Sequence, residues 1–84
     1  MVKNKAFKNW LRREMFSTGL TMRHCAEHIG VHPQQLSKWL LGQNLPNMTS
    51  FVRLCNVIAE LTDQDKHQLY LAGIQKIDTS KFKR

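Results

Sequence analysis

The sequence predicts a small all-α protein, a bundle of five short helices. Three observations lead to this prediction. Apolar residues recur three and four positions apart, which is the period of helices with one buried face. Glycine, threonine or asparagine stands where these patterns begin or end, as is typical of helix termini. Because the chain has only 84 residues, one core must take nearly all its apolar side chains, so we expect a single domain over residues 1–78.

The first helix is expected over residues 5–17. Gly19 follows it and provides the left-handed backbone that often ends a helix, and Leu20 is then expected to pack back beneath the helix. One helical face of this segment is predicted to carry Phe7, Trp10, Leu11, Glu14 and Met15, with Glu14 as its one polar exception.

Residues 21–42, TMRHCAEHIGVHPQQLSKWLLG, predict two helices joined by a tight turn. Thr21 is the expected N-cap of the first helix, which runs to about Ile29, and Gly30 allows the turn. Pro33 suits the first turn of the second helix, which is expected to end near Leu41. The expected core positions are Cys25, Ala26, Ile29, Val31, Leu36 and Trp39, with Ala26 where the helices cross.

Two further helices are expected after a loop at residues 43–46. Asn47 is the predicted N-cap of the fourth helix, which should run to about residue 60. Thr62 is expected to cap the fifth helix, with Asp65 as its capping-box-like partner, and this helix should end near Gly73 or a few residues beyond. Residues 79–84 are basic and are expected to form a flexible tail. The apolar stripe of the fourth helix is predicted to be Phe51, Leu54, Cys55, Ile58 and Leu61.

The charge of the chain favours a polyanionic partner. The net charge is +7, and residues 1–53 carry eight Lys and Arg against only Glu14 and Glu27. An ordinary basic protein with solvated lysines is the alternative.

No stretch of the sequence resembles a signal peptide or a membrane span, so we expect a cytoplasmic protein without a membrane partner. In such a protein we expect both cysteines to be buried thiols.

Short motifs between residues 11 and 74 match one family. They are GLT at residues 19–21, CAEHIGV at 25–31, LSKWLLG at 36–42, Pro46, and the segment LCNVIAELTDQDKHQLYLAG at 54–73. In these motifs the chain resembles the Cro/CI-type (lambda-repressor-like, XRE) family of DNA-binding domains. The resemblance implies a five-helix bundle, usually dimeric, with a helix-turn-helix formed by helices 2 and 3 and the third helix in the DNA major groove.

Four positions depart from the family pattern. Met22 and Pro33 stand where the family often has glutamines, so Arg23 is expected to take over a phosphate contact. Met15 and Leu40 stand where the family often pairs an arginine with a glutamate. We therefore expect an apolar contact in place of a partly buried ion pair, an exchange that can be neutral or stabilising.

The candidate DNA contacts follow from a recognition helix docked in the major groove. Gln34 can bond both polar atoms of adenine, and Lys38 can reach guanine or a phosphate. For all of these residues, ordinary solvated side chains on an exposed helix are the alternative. The base-contacting candidates are Gln34, Gln35, Ser37, Lys38 and His32. The phosphate-contacting candidates are Thr21, Arg23, Gln43, Asn44 and Asn47.

The expected function is sequence-specific binding of double-stranded DNA by a Cro-like phage or prophage repressor, as a homodimer on a palindromic operator. The dimer candidates are Tyr70, Leu71, Ile74 and Ile77, which could instead close the monomer core. An antitoxin or anti-regulator that holds a protein partner is the main alternative, and exposed apolar residues on the fifth helix would favour it. A pure protein-interaction module and an RNA-binding protein are further alternatives.

Catalysis and metal binding find little support in the sequence. There is no Gly-rich phosphate loop, nucleophile elbow or pair of catalytic carboxylates. His24 and His28 are four residues apart, a spacing that can bind zinc, but no acidic ligand is suitably placed and Cys25 should point into the core. We expect no enzyme activity, no cofactor and no metal.

Overall fold

The computed structural model describes residues 4–77, which form five α-helices and no strand. The all-α prediction is confirmed for this part of the chain, and the ends of the first four helices lie within two residues of their predicted positions. The predicted flexible tail at residues 79–84 lies outside the described residues. The helices are α1 (Lys5–Thr18), α2 (Met22–Ile29), α3 (Pro33–Leu40), α4 (Met48–Thr62) and α5 (Lys66–Lys76).

One apolar core joins all five helices. Helices α1 and α4 form the centre of the bundle, because α1 packs against α3, α4 and α5, and α4 packs against α1, α2 and α5. Helices α2 and α3 also pack against each other. The rings of Phe7, Trp10 and Phe51 form an aromatic cluster, with centroids 5.6 to 6.4 Å apart. No polar or charged residue among 4–77 is buried. The largest fully buried side chains are Trp39, Phe7, Leu11, Leu36, Leu54, Ile58, Cys25 and Cys55.

Both cysteines are buried free thiols, as predicted. Cys25 Sγ lies 3.6 Å from the Thr18 hydroxyl, which tethers the start of α2 to the end of α1. Burial, and to a smaller extent the negative charge of Glu14, raises the pKa of Cys55 from 9.0 to about 12. Cys55 therefore stays protonated and unreactive in the folded protein at neutral pH.

The predicted cap of α5 is wrong. Thr62 does not cap α5, because α4 continues to this residue and the Thr62 hydroxyl donates to the Ile58 carbonyl at 2.7 Å. Asp63 then takes the left-handed conformation (φ 58°) that glycine more often supplies. Asp65 is the N-cap of α5, since its Oδ1 accepts the His67 N–H at 2.8 Å. Leu61, predicted in the apolar stripe, is 38% exposed.

Gly73 does not end α5 but lies buried inside it. A Cβ at this position would sit 2.7 Å from two carbons of the Phe51 ring and 2.9 Å from Trp10. Glycine is needed here because α5 approaches the aromatic cluster too closely for a side chain. The helix continues to Lys76, and Ile77 packs into the core with 8% of its surface exposed.

Candidate nucleic-acid interface

Helices α2 and α3 are joined by a turn whose geometry the local sequence determines. Gly30 has φ 86°, and the N–H groups of Gly30 and Val31 both donate to the Ala26 carbonyl, at 2.8 and 3.0 Å. Ala26 is fully buried, and Val31 packs against the core. The turn and these apolar contacts therefore hold the two helices against each other.

Helix α3 presents a polar face to solvent. Leu36 and Trp39 anchor its other face in the core. Of the five predicted base contacts, three are exposed and two, Gln35 and Ser37, are half-buried. The side chains of four of them make no hydrogen bond within residues 4–77, so their bonding capacity is available to a ligand. These four are Gln34, Gln35, Ser37 and Lys38.

His32 has a structural role that its place in the sequence only partly indicated. It is the N-cap of α3, and its Nδ1 accepts the backbone N–H of Gln34 at 3.1 Å. A neutral imidazole that accepts at Nδ1 carries its proton on Nε2, so the outer nitrogen is a hydrogen-bond donor. His32 thus orients the start of α3 and still offers one donor to solvent.

The five predicted phosphate contacts are all exposed and lie in three segments: the start of α2, the loop after α3 and the start of α4. Thr21 caps α2 by accepting the His24 N–H at 3.2 Å, and Asn47 caps α4 by accepting the Ser50 N–H at 2.8 Å. The Asn47 amide NH₂ remains a donor. The side chains of Arg23, Gln43 and Asn44 make no hydrogen bond within the described residues.

The loop after α3 is held in place from both sides. Gly42 adopts φ 78°, and the Gln43 N–H donates to the Lys38 carbonyl at 2.9 Å. On the other side, Asn4 Nδ2 donates to the Gly42 carbonyl at 3.3 Å. The exposed polar groups of the loop therefore stand on a defined backbone.

The basic residues on α1 to α4 make no ion pair with other described residues. Within residues 4–77, the one ion-pair contact joins His67 to Asp65 at 3.7 Å, on α5. Arg12, Arg23, Lys38 and Arg53 therefore carry positive charge that no described carboxylate contacts within 4.0 Å. Such charge attracts polyanions and binds phosphates.

The sequence did not predict the positions of two of these cations, Arg12 and Arg53. Arg12 Nε donates to the Leu40 carbonyl at 2.8 Å, where a cation is favoured by the C-terminal end of α3. Arg53 Nη1 would lie 3.7 Å from a Cβ on Gly30, which places it beside the α2–α3 turn. Both contacts join residues far apart in the chain, so no local pattern indicates them.

The predicted dimer residues have different surroundings. Leu71 is 60% exposed, and Ile74 lines an apolar groove together with the exposed Met48. Tyr70 is half-buried, and its hydroxyl donates to Asn56 Oδ1 at 2.7 Å. Ile77 belongs to the core, so it has little surface left for a partner.

No group of three His, Cys, Asp or Glu side chains within residues 4–77 is arranged to hold a metal ion. His24 and His28 are both exposed, and His24 Nδ1 lies 3.1 Å from the Thr21 hydroxyl. None of the described helices has the length and apolar character needed to cross a membrane. Comparisons with protein families, curated proteins and solved structures find no match to this chain.

Proposed function

We propose that the protein is a sequence-specific DNA-binding regulator of transcription with a lambda-repressor-like helix-turn-helix, in which α3 is the recognition helix. One observation carries the proposal. The outward face of α3 offers four polar side chains that have no hydrogen-bond partner within residues 4–77, while Leu36 and Trp39 fix its inner face in the core. A rigid helix with free donors and acceptors is what reading base edges requires.

The chemistry of the face fits duplex DNA. The Gln34 amide can bond N6 and N7 of adenine, and Lys38 can donate to O6 or N7 of guanine. Thr21, Arg23, Gln43, Asn44 and Asn47 would contact phosphates on both sides of the groove, and the capped starts of α2 and α4 add backbone N–H groups that favour anions.

Regulation by such a protein requires a site long enough to be specific. We propose a homodimer that binds a palindromic operator with half-sites about 34 Å apart. Tyr70, Leu71 and Ile74 on α5 would form the contact between copies. Acting in the cytoplasm of a bacterial or phage-infected cell, the dimer would repress by blocking polymerase or a competing regulator, as Cro-like repressors do.

An antitoxin or anti-regulator is the second candidate. Leu71 and Met48 are each 60% exposed on α5 and α4, a feature that fits a protein partner as well as a second copy. In this case the DNA-binding face would serve to autoregulate transcription of the protein's own gene.

Selection from a random duplex pool at physiological salt tests the proposal, because salt suppresses sequence-independent phosphate binding. The test variant is Gln34→Ala/Lys38→Ala. The matched control is Gln68→Ala/Lys66→Ala, which removes the same two groups from exposed positions on α5. We expect a palindromic consensus that the α3 variant loses and the α5 control keeps. An unstructured pool, with binding that disappears as salt rises, would contradict sequence-specific binding.

A further inference from the structure

An apolar groove of about 480 Å³ lies outside the core, where the end of α1, the start of α2 and the end of α3 meet. Three of its lining side chains are large, apolar and exposed: Phe16 at 89%, Leu41 at 49% and Met22 at 41%. Met15 and Leu40, the predicted apolar replacement of an ion pair, line the same groove. Exposed apolar side chains that adjoin one another mark interaction sites, whereas scattered ones do not.

The rim of this groove is cationic. Arg12 lines it and is fixed there by its bond to the Leu40 carbonyl. Arg13 lies one helical turn before Phe16 on α1, so the two side chains are neighbours. No carboxylate lines the groove among the described residues, and Glu14 accepts a hydrogen bond from Gln64 at 2.9 Å near the α4–α5 junction instead.

The groove adjoins the surface proposed to bind DNA. Ser37 lines the groove and also belongs to the base-contacting set. Met22, another lining residue, stands between Thr21 and Arg23, which are both proposed to contact phosphate. A macromolecule seated in the groove would therefore occupy space that a bound duplex requires.

We propose that this groove binds an amphipathic acidic helix of a partner protein and that this binding excludes DNA; the exclusion rests on the proposed function. A helix inserts apolar side chains at positions i, i+3, i+4 and i+7 into such a groove, and carboxylates beside that stripe would meet Arg12 and Arg13. The apolar lining of the groove would add little to the binding of DNA. Two copies paired symmetrically through this groove would bring their like-charged rims together.

The test is a selection of displayed 14-residue helices against the full chain. Each helix carries leucine at i, i+3, i+4 and i+7, with Glu, Gln or Lys randomised at the other positions. The test variant is Phe16→Ser, and the matched control is Leu61→Ser, an apolar residue of α4 that is 38% exposed and does not line the groove. We expect the selected helices to be rich in Glu, to bind Phe16→Ser at least tenfold more weakly, and to bind Leu61→Ser within twofold of the original chain.

The second experiment measures binding of the protein to the duplex selected above, with and without the best selected peptide. We expect the peptide to lower the affinity for DNA at least tenfold. Binding of the peptide alone is measured by fluorescence anisotropy without DNA, so a failure of the groove is distinguished from a failure of DNA binding. The docking site would be overturned if no peptide is enriched, if the enriched peptides are rich in Lys, or if they bind Phe16→Ser as tightly as the original chain. A stable ternary complex would overturn the exclusion. Self-association that Phe16→Ser abolishes would identify a second copy as the occupant, and the proposal would be wrong.

Discussion

Two of the helix junctions in this molecule, α2–α3 and α4–α5, use their polar side chains in opposite ways. At the α4–α5 junction, Gln64 Nε2 donates to Glu14 at 2.9 Å and to Thr62 at 2.7 Å. Asp65 is occupied by the N–H of His67. At the α2–α3 unit, by contrast, capping residues fix the helix starts, and the side chains that follow on α3 have no partner among the described residues.

This contrast separates a structural junction from a candidate binding surface. Polar groups that satisfy one another stabilise a connection but have little capacity left for a ligand. Polar groups on a helix that have no partner within the described residues keep their capacity to bond a ligand. Water satisfies these groups, so they do not destabilise the fold. The difference lies in hydrogen-bond partners, since glutamines occur in both regions and only Gln64 is bonded to other side chains within residues 4–77.

The largest expected effect on stability comes from the buried side chains that anchor α3 in the core. Leu36→Ala removes a fully buried side chain and should lower the free energy of unfolding by about 2–5 kcal/mol, from lost burial and the cavity that remains. Gln68→Ala, at an exposed position on α5, is the control and should change stability by less than about 0.5 kcal/mol. Urea unfolding of both variants measures the effect. Equal losses would mean that α3 is not anchored as described.

The close approach of α5 to the aromatic cluster gives the next effect. Gly73→Ala places a Cβ within 3.0 Å of Phe51 and Trp10, and the rings must shift to accept it. We expect a net destabilisation of about 1–3 kcal/mol in thermal or urea unfolding, despite the better helix propensity of alanine. A stabilised variant would show that α5 lies further from the cluster.

The buried thiol on α4 makes stability depend on pH in the alkaline range. Because the folded-state pKa of Cys55 is about 12 against an ordinary 9.0, the folded protein holds this proton more tightly than the unfolded chain does. Its contribution is fully present below pH 9.0 and is lost as the pH rises from there towards 12. From pH 8 to pH 10, the free energy of unfolding measured in urea should therefore fall by about 1 kcal/mol more in the original chain than in Cys55→Ala. Parallel pH profiles would contradict this.

The smallest effects come from the two left-handed residues that end α2 and α4. Gly30→Ala should destabilise by about 1 kcal/mol, because φ 86° strains any residue with a Cβ. Asp63→Gly should stabilise by about 0.5–1 kcal/mol, because it relieves the same strain at φ 58°. Differential scanning calorimetry resolves the two signs, and shifts in the same direction would contradict the geometry of one junction.

These junctions also show what the sequence could predict. Gly30 and Pro33 each permit few local alternatives, so the α2–α3 turn and the outward face of α3 followed from nearby residues alone. At the other junction Thr62 and Asp65 are both good capping residues, and only the continuation of α4 decides between them. The contacts of Arg12 with Leu40 and of Gly73 with Phe51 join distant parts of the chain. No local period contains that information.

One measurement tests the central claim most directly, that the free polar face of α3 reads DNA bases. Binding of the selected duplex is titrated with the original chain, with Gln34→Ala and with Gln64→Ala, one amide from each junction, at two salt concentrations. We predict that Gln34→Ala costs about 1–3 kcal/mol of binding free energy without changing the salt dependence, while Gln64→Ala binds as the original chain does. A Gln34→Ala variant that keeps full affinity and specificity would contradict the claim.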